Sequence, residues 1–405
     1  SPVYGYVSDT GDQEAIALAV LAGTDLTLVP TDTTRNLSFH VAVGADRPRQ
    51  VAARPDLSQV EPCAPETLNV VVAVSDGDNM NVPLNHFLRP TNWDSPRRGD
   101  LPLGWSIGPG LAILAPGAWD VYADEATPRD ELVAMIGWSY GAPSLLSDPE
   151  DFYARSFGLM DELGMTTFWS LGGGLDYAGS TYWEAFDDVA DAGTGVPHGV
   201  LVGYGNATGS AFYSPAGRPA FTSRSVYSET PAQIAGHVAD LLATAPEDRP
   251  LVSFLSATNW SNPVHDLVGA LAPFEDQGVR FLTPAEAAAC MPEAPEPPPP
   301  AELGPGTCLP RAPITQHGLP LISDPVQAEI ARQTLPFVLP TAVTVDAPQP
   351  ANVGDTIRYR ADITIDLDAL AQALLVDRVR PVIEAGYGPE LAETGWMAFT
   401  FGHLD

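Results

Sequence analysis

Val70-Val71-Val72-Ala73-Val74-Ser75-Asp76-Gly77-Asp78-Asn79-Met80-Asn81 is the stretch on which the reading of this chain turns. Val70 to Val74 are five β-prone apolar residues without polar alternation. A strand of that kind is buried on both faces, as in a parallel sheet covered by helices. It runs directly into Ser75–Asn79, which sets two carboxylates, an amide and a glycine at the carboxyl end of a strand. That is where α/β sheets present their reacting groups. Asp, Gly and Asn are also the commonest turn formers, so the turn's composition alone does not decide between chemistry and structure.

Working outward, the flanks repeat the strand-then-helix alternation. Upstream, Val3–Asp9 reads as a strand followed by a helix ending at Gly23, with Thr10 and Gln13 forming a capping box. The runs Leu26–Pro30 and Asn36–Val43 read as further strands. Downstream, residues 80–105 read as a long ordered loop walling a cleft, because Trp93 and Trp105 argue against disorder. Leu111–Pro116 reads as a strand, Thr127-Pro128 as a helix start, and Val133–Tyr140 as a strand tail. Asp148-Pro149 opens a helix that Gly164 stops. Strands are then expected at Thr166–Ser170, His198–Gly205, Leu251–Trp260 and Val279–Leu282, with helices between or after them. This pattern predicts a parallel sheet, and the count fits an irregular (β/α) barrel over residues 1–291.

The proline-rich run at 292–313 reads as an extended linker. Beyond it, residues 314–405 alternate with period two around one helix near Leu367–Val379, which predicts a small α+β or β-rich module.

Composition narrows the function. The 405 residues carry a net charge of −32, and all 19 basic residues are arginine. Such a surface repels nucleic acid and anionic lipid, so neither is an expected partner. Hydrophobic content of 45% excludes global disorder, and no window reaches the length of a membrane span. The three cysteines, Cys63, Cys290 and Cys308, include no CxxC pair and point to one disulfide: either Cys290 with Cys308, or Cys63 with Cys290. Together these features predict a secreted, cell-surface or periplasmic protein. The chain starts at Ser1 without Met or signal peptide and reads as processed or truncated.

The acidic turn and its sequel resemble the GxGYxYP family of putative glycoside hydrolases. The matching residues are Ser75-Asp76-Gly77-Asp78-Asn79, then Trp93, Gly104-Trp105, Pro109 and Ala115-Pro116. The name motif follows as Gly137-Trp138-Ser139-Tyr140-Gly141-Ala142-Pro143, with Ser139 in place of the second Gly and Ala142 in place of the second Tyr. The resemblance covers roughly residues 1–290. It implies a barrel fold and a carbohydrate substrate.

Glycoside hydrolysis needs two carboxyl groups flanking the scissile bond. Asp76 and Asp78 are the first candidates. Asp176, after the glycines 172–174, is the favoured partner, ahead of Asp9, Asp12 and Glu229. Sugar-facing contacts are expected from Asn79, Trp93, Trp105, Trp138, Tyr140 and Tyr204, with Tyr177 and Trp260 in similar positions. No cofactor is expected, and the competing use of Asp76, Asp78 and Asn79 is as oxygen ligands to Ca²⁺. His86, His198, His237 and His265 lack the spacing of a zinc site. Gly137-Trp138-Ser139-Tyr140-Gly141 matches G-x-S-x-G, but an esterase elbow needs a helix immediately after the serine. The alternative function is a non-catalytic surface or matrix scaffold that binds glycan or self-assembles through residues 314–405.

Overall fold

The structure is a computed structural model. It describes residues 2–5, 17–18, 21–22, 26–31, 34–141, 143, 146–171, 175, 182–193, 196–204 and 209–294, and the backbone of 338–346 and 358–365. Two units divide the chain, Ser1–Pro297 and Pro298–Asp405.

In the first unit β1 (Pro2–Gly5) and β2 (Thr27–Pro30) pair in parallel as a separate two-stranded sheet. The main sheet holds β3 (Leu68–Ser75), β4 (Leu103–Ile107), β5 (Asp130–Met135), β6 (Thr167–Ser170) and β7 (Gly199–Val202). It continues with β8 (Ser210–Tyr213), β9 (Pro219–Thr222), β10 (Val252–Thr258) and β11 (Val279–Leu282). Its order is β10-β3-β4-β5-β6-β7-β9-β8, and β11 pairs with the start of β3. Every pairing is parallel except that of β8 with β9. A bridge between Ser223 and Phe254 then brings the β9 end back to β10, and the sheet curls into an irregular barrel. Buried Ser223, Ser225 and Ser256 exchange hydroxyl hydrogen bonds across that seam.

The strands are buried on both faces as their sequences require. Val71 and Ala73 belong to one apolar cluster with Val133, Met135, Trp169, Leu201, Phe221 and Phe254. Val70, Val72 and Val74 belong to another, shared with the covering helices. Alternate residues of β3 therefore face the barrel interior and its helical jacket. The helix Pro284–Cys290 contributes Ala287, Ala288 and Cys290 to the inner cluster. Its Ala285 N–H donates to the buried Glu131 carboxyl at 2.7 Å, so this helix is fastened inside the barrel wall. A disulfide joins Cys290 to Cys63, with Cα atoms 4.9 Å apart, and selects one of the two pairings open in the sequence.

Several expectations are corrected. Leu111–Leu114 is helical, not extended, and buries Leu111, Ala112 and Leu114. Four apolar residues fit either form, and the preceding Gly-Pro-Gly allows the chain to turn into a helix. Leu37–Ala42 is also a helix, entered through a left-handed Asn36 at φ 57°. Residues 80–105 contain a π-type turn at Val82–His86 and the start of β4 rather than one long loop. Thr127 precedes a strand, its N–H bonded to Asp130 Oδ2 at 2.9 Å. The β8–β9 hairpin has no counterpart in the expected elements. The helix limit expected at Gly164 is found, at φ 79°, and Thr230 and Thr283 each form a capping box at the start of a later helix.

In the second unit, β12 (Val338–Asp346) pairs antiparallel with β13 (Arg358–Ile365), with an irregularity between Pro340 and Ala342. The helix expected at 367–379 lies outside the described residues, as does Cys308.

Candidate active site

β3 delivers Asp76 to the carboxyl end of the barrel in a left-handed conformation, φ 78°. Such a conformation costs a non-glycine residue about 1 kcal/mol or more and persists where surrounding contacts hold it. The next residue explains the tight seat. Gly77 N–H donates to Ser106 Oγ at 3.0 Å, and Gly108 N–H donates to Gly77 O at 2.9 Å. A Cβ at Gly77 would stand 1.6 Å from the Ser106 carbonyl oxygen, so only glycine fits.

Asp76 is 8% exposed, and its carboxyl accepts hydrogen bonds from four side chains. Tyr204 donates to Oδ1 at 2.8 Å and Ser75 at 3.3 Å, while Asn259 donates to Oδ2 at 3.0 Å and Tyr227 at 3.5 Å. These donors lie on β3, after β7, after β9 and after β10, so four separate parts of the barrel converge on one carboxyl. Burial raises the carboxyl to about 6 despite the donors, each of which favours the charged form. Tyr204 and Tyr227 are pushed upward by burial and by the negative charges of Asp76 and Asp78, which keeps both phenols protonated at neutral pH.

Asp78 is half-buried and lines a narrow crevice with Pro30, Gly108, Trp138 and Tyr140. Gly137, the first glycine of the GxGYxYP-like motif, has φ 80°, and a Cβ there would meet Ser156 Oγ at 2.3 Å. Tyr140 exchanges both backbone hydrogen bonds with Leu28, which docks the motif on β2. Ser139 donates its hydroxyl to Thr27 Oγ1 at 2.7 Å and is buried. Among the described residues the next α-helix begins at Pro149, whereas an esterase elbow needs a helix immediately after its serine, and the buried Ser139 hydroxyl is engaged with Thr27.

The expected site residues therefore divide. Asp76 and Tyr204 come together, and Asp78 shares its crevice with Trp138 and Tyr140. Asn79 is half-buried, and its Oδ1 accepts the Asn81 N–H at 3.0 Å just ahead of the π turn. Trp93 and Trp105 are corrected outright, because neither indole is exposed at all. Their rings stack edge-on at 4.9 Å, and their N–H groups donate to Glu125 and Asp130. They carry the core under the barrel's outer face, where large aromatics contribute most to packing. Glu229 pairs with His237 at 2.9 Å and its carbonyl accepts from Asn262. Asp176, Asp9, Asp12 and Tyr177 lie outside the described residues.

Sequence reasoning missed Tyr227 and Asn259. Asn259 had a readable signal, since Thr258-Asn259-Trp260 places polar and aromatic residues at a strand exit just as Ser75–Asn79 does. Tyr227 had none, because it sits in a loop after a hairpin that was not foreseen.

The comparisons agree with this architecture. The model of the GxGYxYP putative glycoside hydrolase C-terminal domain matches residues 67–290. That span opens at β3 and closes at Cys290. A crystal structure of a putative hydrolase from Bacteroides thetaiotaomicron VPI-5482 shares the fold at TM-score 0.55 and 20% identity. The similarity covers 72% of this chain and 56% of that one, so this chain corresponds to little more than half of that protein. No curated protein matches the sequence. With the family's C-terminal domain extending over more than half of its length, this chain belongs to the GxGYxYP family of putative glycoside hydrolases.

Proposed function

We propose that this protein hydrolyses glycosidic bonds at the Asp76 mouth of its barrel. One observation carries the reading: a buried carboxyl, raised to about 6, sits on strained backbone at the strand exits and is held by side chains from four parts of the fold. A carboxyl in that range keeps its proton long enough to give it to a leaving oxygen, which is the task of a general acid. In the proposed reaction the Asp76 proton passes to the glycosidic oxygen as the C1–O bond breaks. Asp78, two residues further along the same turn, stabilises the positive charge that develops on the sugar. Water then adds to C1, and its proton returns to a carboxylate. Asp176 is the second candidate for the partner role. The chemistry requires no metal or cofactor.

The disulfide and the acidic, lysine-free surface support export, since such a bond persists in an oxidising compartment. A carbohydrate partner fits the half-buried Trp138, Tyr140 and Tyr204. The competing scaffold reading draws on the separate unit Pro298–Asp405, through which copies would assemble or attach. Against it stands the nature of the contacts on Asp76: the donors are phenols, a hydroxyl and an amide side chain rather than the backbone amides that would mark a purely structural carboxylate.

The deciding experiment is hydrolysis of a polysaccharide and aryl-glycoside panel by the wild type and by Asp76→Asn, Asp78→Asn and Asp176→Asn. Loss of turnover by about 100-fold or more in Asp76→Asn supports the assignment. Turnover that survives the substitution sinks the site, and binding without turnover on any substrate favours the scaffold.

A further inference from the structure

We infer that Tyr227 and Trp260 form an aromatic platform that stacks one ring of a glycan chain beside the reacting sugar, so that the substrate is a polysaccharide without acidic groups. The inference rests on the proposed role of the Asp76 mouth and names the substrate class for it. Trp260 follows Asn259, whose amide holds Asp76, and Tyr227 places its hydroxyl 3.5 Å from the same carboxyl. The platform thus begins within one sugar's reach of the carboxyl.

Single exposed aromatics are ordinary on protein surfaces. This pair is distinguished by how firmly it is held. Tyr227 and Trp260 are 48% and 47% exposed. His86, on the π turn, packs edge-on against Trp260 with ring centroids 4.2 Å apart, and Tyr204 packs edge-on against Tyr227 at 4.9 Å. Ser228 holds the neighbouring backbone at φ 66°. The cost of ordering two large rings is therefore met before ligand arrives, and their free area is apolar. A pyranose offers a matching face of C–H groups with hydroxyls at its edge. The net charge of −32 sets the second half of the inference, because a polyanionic chain is repelled along its whole length.

Binding is measured by calorimetry on the full chain carrying Asp76→Asn, so that turnover does not enter. The probes are glucose, mannose and N-acetylglucosamine, the longer oligosaccharides of each, and oligogalacturonides as the acidic series. In one neutral series affinity is expected to rise with chain length. Adding Trp260→Ala should erase that rise, about a 10- to 100-fold loss for the longer chains, while Trp260→Phe retains most of it. The inference is overturned if length dependence is the same in Trp260→Ala, if the oligogalacturonides bind most tightly, or if no series binds. Turnover is scored separately in the wild type. Chains that bind through Trp260 without being cleaved would sink the hydrolase reading and keep the platform; cleavage indifferent to Trp260 would do the reverse.

Discussion

Tyr204 and Asp76 stand 128 positions apart in sequence, and the phenol of one donates to the carboxyl of the other at 2.8 Å. The bond links the exits of β7 and β3 across the barrel mouth. It favours the charged form of a carboxyl that burial pushes the other way, so Tyr204 tempers the acid.

Replacing Tyr204 by Phe removes that donor and raises Asp76 above about 6. The alkaline limb of the pH–rate profile should move upward, with kcat lowered about 10- to 100-fold through lost positioning. A profile whose limb stays in place would show that Asp76 is not the titrating acid.

Glu131 gives a pH dependence of stability without touching the mouth. Burial raises it from 4.5 to about 6, against hydrogen bonds from Thr167, Ala285 N–H and Thr166. A folded-state value above the unfolded one stabilises the protein below about pH 4.5, and that contribution is lost as pH rises through about 6. The loss amounts to about 2 kcal/mol. Urea titrations at acid and neutral pH should show Glu131→Gln less sensitive than wild type across this window. Equal slopes would mean that the carboxyl is not buried in solution.

Breaking the Cys63–Cys290 bond releases a long loop in the unfolded state. Cys63→Ser should cost about 3–5 kcal/mol, seen as a lower Tm that added reductant does not lower further. A wild-type Tm unaffected by reductant would contradict the pairing.

Trp105→Ala should destabilise by about 3–5 kcal/mol, as expected for an emptied core site. Trp260→Ala, at an exposed ring, should stay within about 0.5 kcal/mol of wild type. Chemical denaturation of the two variants side by side tests whether the aromatics divide between core and rim as placed here.

The barrel was legible because its strands announce themselves: Val70–Val74 cannot be half-exposed, and Gly164, Thr230 and Thr283 mark helix limits by local chemistry. The acidic turn was legible for the same reason, since a strand's direction fixes where its exit points. The aromatics were not. Trp93 lies in a turn and Trp105 in β4, a strand of five residues that the sequence merged into a loop, and only packing against Tyr122 and Phe87 shows that they are covered. Leu111–Leu114 is too short for its period to decide. Tyr227 reaches Asp76 through the unforeseen hairpin, a contact over 151 positions that no local pattern encodes. The cysteine pairing likewise depended on which ends the fold would bring together.

That pairing gives the molecule a topology of its own. Cys63 stands just ahead of β3, and Cys290 ends the helix fastened inside the barrel. The whole stretch from 63 to 290, with every strand of the main sheet and every described group around Asp76, is one covalent ring. A single protease cut within it leaves one molecule, and the first 62 residues and everything after Cys290 are tails outside the ring.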